Sequence, residues 1–209
     1  GWYTVELVAG ETVRTAEFEV LPDPRYNTTP GEYAEQFGLL WEIHESLDGA
    51  HEAVNTIRDV RGQINSTMKR AKSAGLDDDL KELAESIKDA FKEIEETIIQ
   101  TKSKSSQDPL NFPIRLNDKI GALAYTVDGD HPPTAQSREV FEHLDALLQE
   151  QLSRLETLLA DDIPAFNDKV LELRVPSIVL DDDETEEEPE EDGDEDEDGV
   201  EAGPWGGEG

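Results

Sequence analysis

The 209-residue chain contains no cysteine and one methionine, Met68. Without thiols there is no disulfide framework, no cysteine-bearing zinc site and no thiol nucleophile. Basic residues are scarce: 18 Lys and Arg, nine of them Lys, stand against 51 Asp and Glu, leaving a net charge of −33. Such an acidic surface repels the phosphates of nucleic acids and of anionic lipids, which disfavours both as partners. No apolar run approaches the ~20 residues of a membrane-spanning helix, and no charged-then-apolar leader opens the chain. The reading is of a protein without a membrane span, cytoplasmic or exported. Gly-x-Ser-x-Gly and Gly-rich phosphate loops are absent as well. With one residue in four acidic, carboxylate pairs arise by chance and their spacing carries no information about glycosidic chemistry.

What is present begins with two alternating stretches. Tyr3, Val5 and Leu7 alternate with Thr4 and Glu6, and Ala16, Phe18 and Val20 alternate with Thr15, Glu17 and Glu19. With Ala9-Gly10-Glu11 as turn, residues 1–21 read as a β-hairpin with one apolar face. An isolated hairpin is marginal in water. The pair is therefore expected to be the last two strands of a truncated β-sandwich, the alternative being a hairpin docked onto the helices that follow. Residues 22–29 form a Pro-bearing linker.

Residues 30–178 read as a helical bundle. Thr29-Pro30-Gly31-Glu32 has the order of a capping box with Pro at the first helical position. From there Tyr33, Phe37, Leu40, Ile43, Leu47, Ala50, Val54, Ile57, Ile64 and Met68 recur at three- and four-residue steps, with Arg61 interrupting. That predicts a helix of about 44 residues and about 66 Å, long enough to protrude beyond its neighbours. Gly75 stops it. A second helix carries Leu80, Leu83, Ile87, Phe91, Ile94 and Ile98 and ends near Lys102 and Lys104. A third starts at Pro113 with Leu116, Ile120, Leu123 and Val127. A fourth, capped by Thr134, carries Phe141, Leu144, Leu148, Leu152, Leu155 and Leu159. The fold class is mainly α: an antiparallel bundle of three to four long amphipathic helices with coiled-coil-type packing, behind a β-hairpin. Residues 179–209 read as a disordered acidic tail, with 17 acidic and no basic residues from Asp181 onward.

The best metal candidates are Asp48-x-x-His51 and Glu139-x-x-x-His143, with His44 one heptad before His51. Di-iron bundles use two Glu-x-x-His pairs and two further Glu. Here one spacing and one carboxylate differ, so no metal-binding, catalytic or cofactor-binding residue is assigned, and no cofactor is expected. The most unusual stretch is the connection containing Gln107, Asp108, Pro109, Asn111, Phe112, Pro113, Arg115 and Asn117. Its prolines and amides predict an ordered corner in which Asp108 and Asn111 cap backbone groups and Phe112 plugs the bundle end, or else a recognition loop.

Asp23-Pro24-Arg25, Glu52-Ala53-Val54-Asn55, Gln107-Asp-Pro-Leu-Asn-Phe-Pro-Ile-Arg-Leu-Asn117, Ala135-Gln136-Ser137 with Val140-Phe141, and Asp162-Ile-Pro-Ala-Phe-Asn167 before Val175-Pro176 occur in that order. Together they resemble the C-terminal region of sortilin (VPS10)-like, BNR-repeat proteins of the type labelled glycosyl hydrolases. The resemblance covers about residues 1–178. It implies a β-propeller, then a β-sandwich, upstream in the same protein as partners, with this segment a non-catalytic interaction or stabilising module. Any ligand or glycan site would lie on the propeller, so no catalytic residue transfers, and whether the parent is an enzyme stays open. The alternative is a self-standing acidic bundle that binds a basic partner protein. The acidity itself, not shared with the resembling proteins, reads as adaptation to high salt, as in a halophile.

Overall fold

The computed structural model describes residues 1–103, 105 and 110–179. Gly1–Ser177 form one unit and Ile178–Gly209 another. The predicted acidic tail falls almost entirely on residues outside those described, as do Gln107, Asp108 and Pro109.

Strand β1 (Trp2–Ala9) pairs antiparallel with β2 (Thr12–Glu19) in a two-stranded sheet. Ala9 opposes Thr12, leaving a two-residue loop. Gly10 has φ +60° while Glu11 keeps a negative φ, the signature of a II′ turn whose twist matches that of the strands. In this register Tyr3, Val5 and Leu7 share a face with Phe18, Ala16 and Arg14, and the Tyr3 and Phe18 rings stack at 5.9 Å. Every residue of both strands is exposed, so the hairpin is not docked onto the helices.

Helix α1 spans Pro30–Ser73, 44 residues. Its capping box forms as the sequence predicts: the Thr29 hydroxyl accepts the Glu32 amide, and Glu32 Oε2 accepts the Thr29 amide at 2.7 Å. Helix α2 spans Asp78–Ile98, α3 Leu116–Val127 and α4 Ala135–Thr157. A π-helical turn, Leu158–Asp162, then leads directly into α5, Ile163–Leu173. Pro164 explains the widening. It has no N–H for the Ala160 carbonyl and its ring crowds that oxygen, so the preceding turn opens and Ile163 N–H donates to the Leu158 carbonyl five residues back.

Cross-links fix the directions. Arg138 Nη1 reaches Glu42 Oε2 at 3.5 Å and Ser46 Oγ donates to Asp145 Oδ1 at 2.6 Å, so α4 runs parallel to α1. Gln36 Nε2 donates to the Val127 carbonyl at 2.7 Å, so the end of α3 lies at the start of α1. Residues 74–77 turn the chain back at the end of α1, and Glu95, near the far end of α2, meets Arg58 and Arg61 midway along α1, so α2 is antiparallel to α1 and hence to α4, whose Arg154 meets Glu93. The bundle is thus three rods thick. One rod is α1, one is α2 and α3 end to end, and one is α4 continued into α5. Because α2 and α3 flank α1 in tandem, α1 does not protrude, and residues from Gln36 to Ala71 are buried along it.

The core unites Leu39, Ile43, Ala50 and Ile57 of α1 with Ile87, Phe91 and Ile94 of α2, Ile120 of α3, Leu148 of α4 and Phe166 of α5. The predicted α1 stripe forms, with Ile43, Ala50, Val54, Ile57 and Ile64 buried, but Phe37 is not part of it: Leu39 is fully buried in its place, whereas Phe37 is 66% exposed. Two boundaries also differ. α2 stops at Ile98, where Ile99 turns extended, rather than near Lys102 and Lys104. α3 starts at Leu116 rather than Pro113, because Arg115 is extended and the Pro113 carbonyl accepts Gln100 Nε2 at 2.9 Å.

Candidate functional site

The tandem stacking of α2 and α3 places the described part of the signature connection, residues 110–115, halfway along α1. Phe112 therefore does not plug the bundle end. It is half-buried and lines a recess of about 540 Å³ walled by His51, Asn55 and Arg58 of α1, Gln100 after α2, and Asn117 of α3. Asn111, Pro113 and Arg115 are exposed, and Arg115 occupies the N-cap of α3 without a side-chain capping bond. The Asn117 carboxamide oxygen is buried against the recess with no hydrogen-bond donor among the described residues. Such an acceptor carries a desolvation cost of ~1–3 kcal/mol. The recess holds polar groups suited to binding, since amide, imidazole and guanidinium groups converge there.

Beside it lies a buried ion triad. Glu95 is 6% exposed at its side chain and receives Arg58 Nε and Arg61 Nη2, each at 2.7 Å. Arg61, the residue that interrupts the α1 stripe, is thereby explained as the partner of an acid on the facing helix. Burial pushes the Glu95 carboxyl up, but the hydrogen bonds and charges of the two guanidiniums outweigh it and hold the group below its ordinary value of 4.5.

The metal candidates do not converge. His44 Nε2 lies 3.4 Å from Asp48 Oδ2 on the exposed side of α1, and His51, Glu139 and His143 are exposed on two helices. No three His, Asp or Glu come together as a ligand set among the described residues. Likewise no helix among them is long and apolar enough to cross a membrane.

Two apolar surfaces were not absorbed by the core. On the hairpin, Tyr3, Val5, Leu7, Phe18 and Val20 are each 47–66% exposed. On α1, Phe37 and Trp41 form an exposed aromatic pair. The first was legible as strand alternation. The second was hidden because sequence periodicity assigned Phe37 to the core.

No protein-family model matches the chain, and no curated protein or solved structure matches it.

Proposed function

We propose that this chain is a non-catalytic interaction and stabilising module, the C-terminal helical portion of a sortilin-like, BNR-repeat propeller protein. The observation that carries the reading is the hairpin. A two-stranded sheet with one uncovered face that is apolar except for Arg14 is marginal by itself and gains stability when further strands cover or extend it. The helices bury their own core and need nothing from the hairpin, so the arrangement suits a rigid rod that presents two strands to a larger β-structure. The segments that resemble the propeller proteins run from the hairpin linker to Val175-Pro176, just past α5. The acidity belongs to the same proposal as an adaptation to concentrated salt, which would screen the self-repulsion of a −33 chain.

Two measurements test it. Sequencing the coding DNA 5′ to the Gly1 codon should reveal regularly spaced Ser-x-Asp-x-Gly-x-x-x-Trp-like blade motifs in frame. Their absence there would refute the propeller parentage. In the chain itself, Tyr3→Asp with Phe18→Asp should leave the helical melting transition unchanged. A lower melting temperature would mean that the hairpin serves the bundle rather than an external sheet.

A further inference from the structure

We propose that the outer face of α1, centred on Phe37 and Trp41, docks a Lys- or Arg-bearing segment of a partner protein. Phe37 and Trp41 stand four residues apart with ring centroids 6.1 Å apart, and Trp41 meets the His44 ring edge-on at 5.7 Å. At 100° per residue they project from the side of the helix opposite Leu39, Ile43 and Ala50, away from both neighbouring rods. Even in contact with each other they remain 66% and 51% exposed. A pair that served only the helix would contribute little there, because an (i, i+4) contact removes a small part of two large rings from water.

The charge around the pair selects the occupant. Residues 30–57 contain six acids (Glu32, Glu35, Glu42, Glu45, Asp48, Glu52) and no Lys or Arg. Residues 58–73 reverse this, with five bases (Arg58, Arg61, Lys69, Arg70, Lys72) and only Asp59. Helix-dipole compensation accounts for charges in the first and last turns only, so it does not explain acids continued to Glu52. Among the described residues, Arg138 is the one Lys or Arg that pairs in the acidic half, at Glu42. Glu45 and Glu52 make no ion pair among the described residues. An aromatic face beside uncompensated carboxylates attracts a cation to the Trp41 ring and to the carboxylates at once. A second copy of this chain is the poorer occupant, since two bodies of −33 repel. The inference does not depend on the propeller parentage, because it uses none of the hairpin.

A synthetic 16-residue amphipathic peptide of Lys and Leu, titrated calorimetrically into the full chain, tests it. The KCl concentration should be the lowest that preserves helical circular dichroism. Phe37→Ala with Trp41→Ala should weaken binding about tenfold, and Glu45→Gln with Asp48→Asn and Glu52→Gln several-fold. Removing as many charges from α4, by Glu142→Gln, Glu150→Gln and Glu156→Gln, should leave affinity within about twofold. All substituted side chains are exposed, and the helical signal of each variant checks that it has folded. The proposal is overturned if the chain does not bind the peptide, if both charge variants lose equally, or if the aromatic variant binds undiminished. It is also overturned if sedimentation shows a Trp41-dependent dimer, which would assign the face to a second copy.

Discussion

The Arg58–Glu95–Arg61 triad should respond asymmetrically to removal of its two halves. Glu95 is 6% exposed, whereas the side chains of Arg58 and Arg61 are 55% and 29% exposed. Replacing Glu95 by Met leaves two guanidiniums on long stems that already reach water, at a cost within ~1 kcal/mol. Replacing both arginines by Met strands a carboxylate in the bundle, which costs about 3–5 kcal/mol. At ~2–4 °C per kcal/mol for a chain of this size, the double variant should melt about 10 °C below the parent at pH 7, and Glu95→Met within about 4 °C of it. The pH dependence should also invert. In the parent the folded carboxyl lies below its ordinary value, so its stabilisation is present above pH 4.5 and is lost as pH falls through the folded value. Without the guanidiniums only desolvation remains, which raises the folded value above the unfolded one, so the double variant recovers stability as pH falls from 7 towards 5. Thermal circular dichroism at pH 7, 6 and 5 reads both effects. A Glu95→Met variant as damaged as the double variant, or a double variant that does not recover on acidification, would refute the reasoning.

Gly38 and Gly62 lie inside α1 with nothing within 4 Å of an added Cβ. Replacing either with Ala should raise stability by ~0.5–1 kcal/mol through backbone entropy, seen as a small rise in melting temperature. Gly75, at φ +69°, should instead lose ~1 kcal/mol on the same substitution. If the acidity is salt adaptation, the melting temperature should climb as KCl rises into the molar range, where the screening length shrinks to ~3 Å. A flat or falling trend in thermal circular dichroism would remove that reading.

Local chemistry alone determined where α1 and α4 start. Thr29 with Pro30 and Glu32, and Thr134 ahead of Ser137, are caps whose partners lie within three residues, so the sequence shows both donor and acceptor. Gly75 stops α1 for a reason equally local, a positive φ. Strand alternation gave the hairpin but not its register: Ala9, expected in the turn, pairs with Thr12, and the loop is Gly10-Glu11 alone. Where partners are distant, the sequence was silent. Which side of α1 faces inward is decided by rods on two sides, and they select Leu39 over Phe37 although both fit a three-and-four spacing. Short connections predicted antiparallel neighbours, yet only packing could stack α2 on α3 and bring Gln100 and Phe112 to the middle of the bundle. Arg61 looked like a fault in an apolar stripe until Glu95, 34 residues away in the chain, came within 2.7 Å. Caps and turns close over a few residues and are written locally. Burial and charge pairing depend on surfaces that only the assembled bundle brings together.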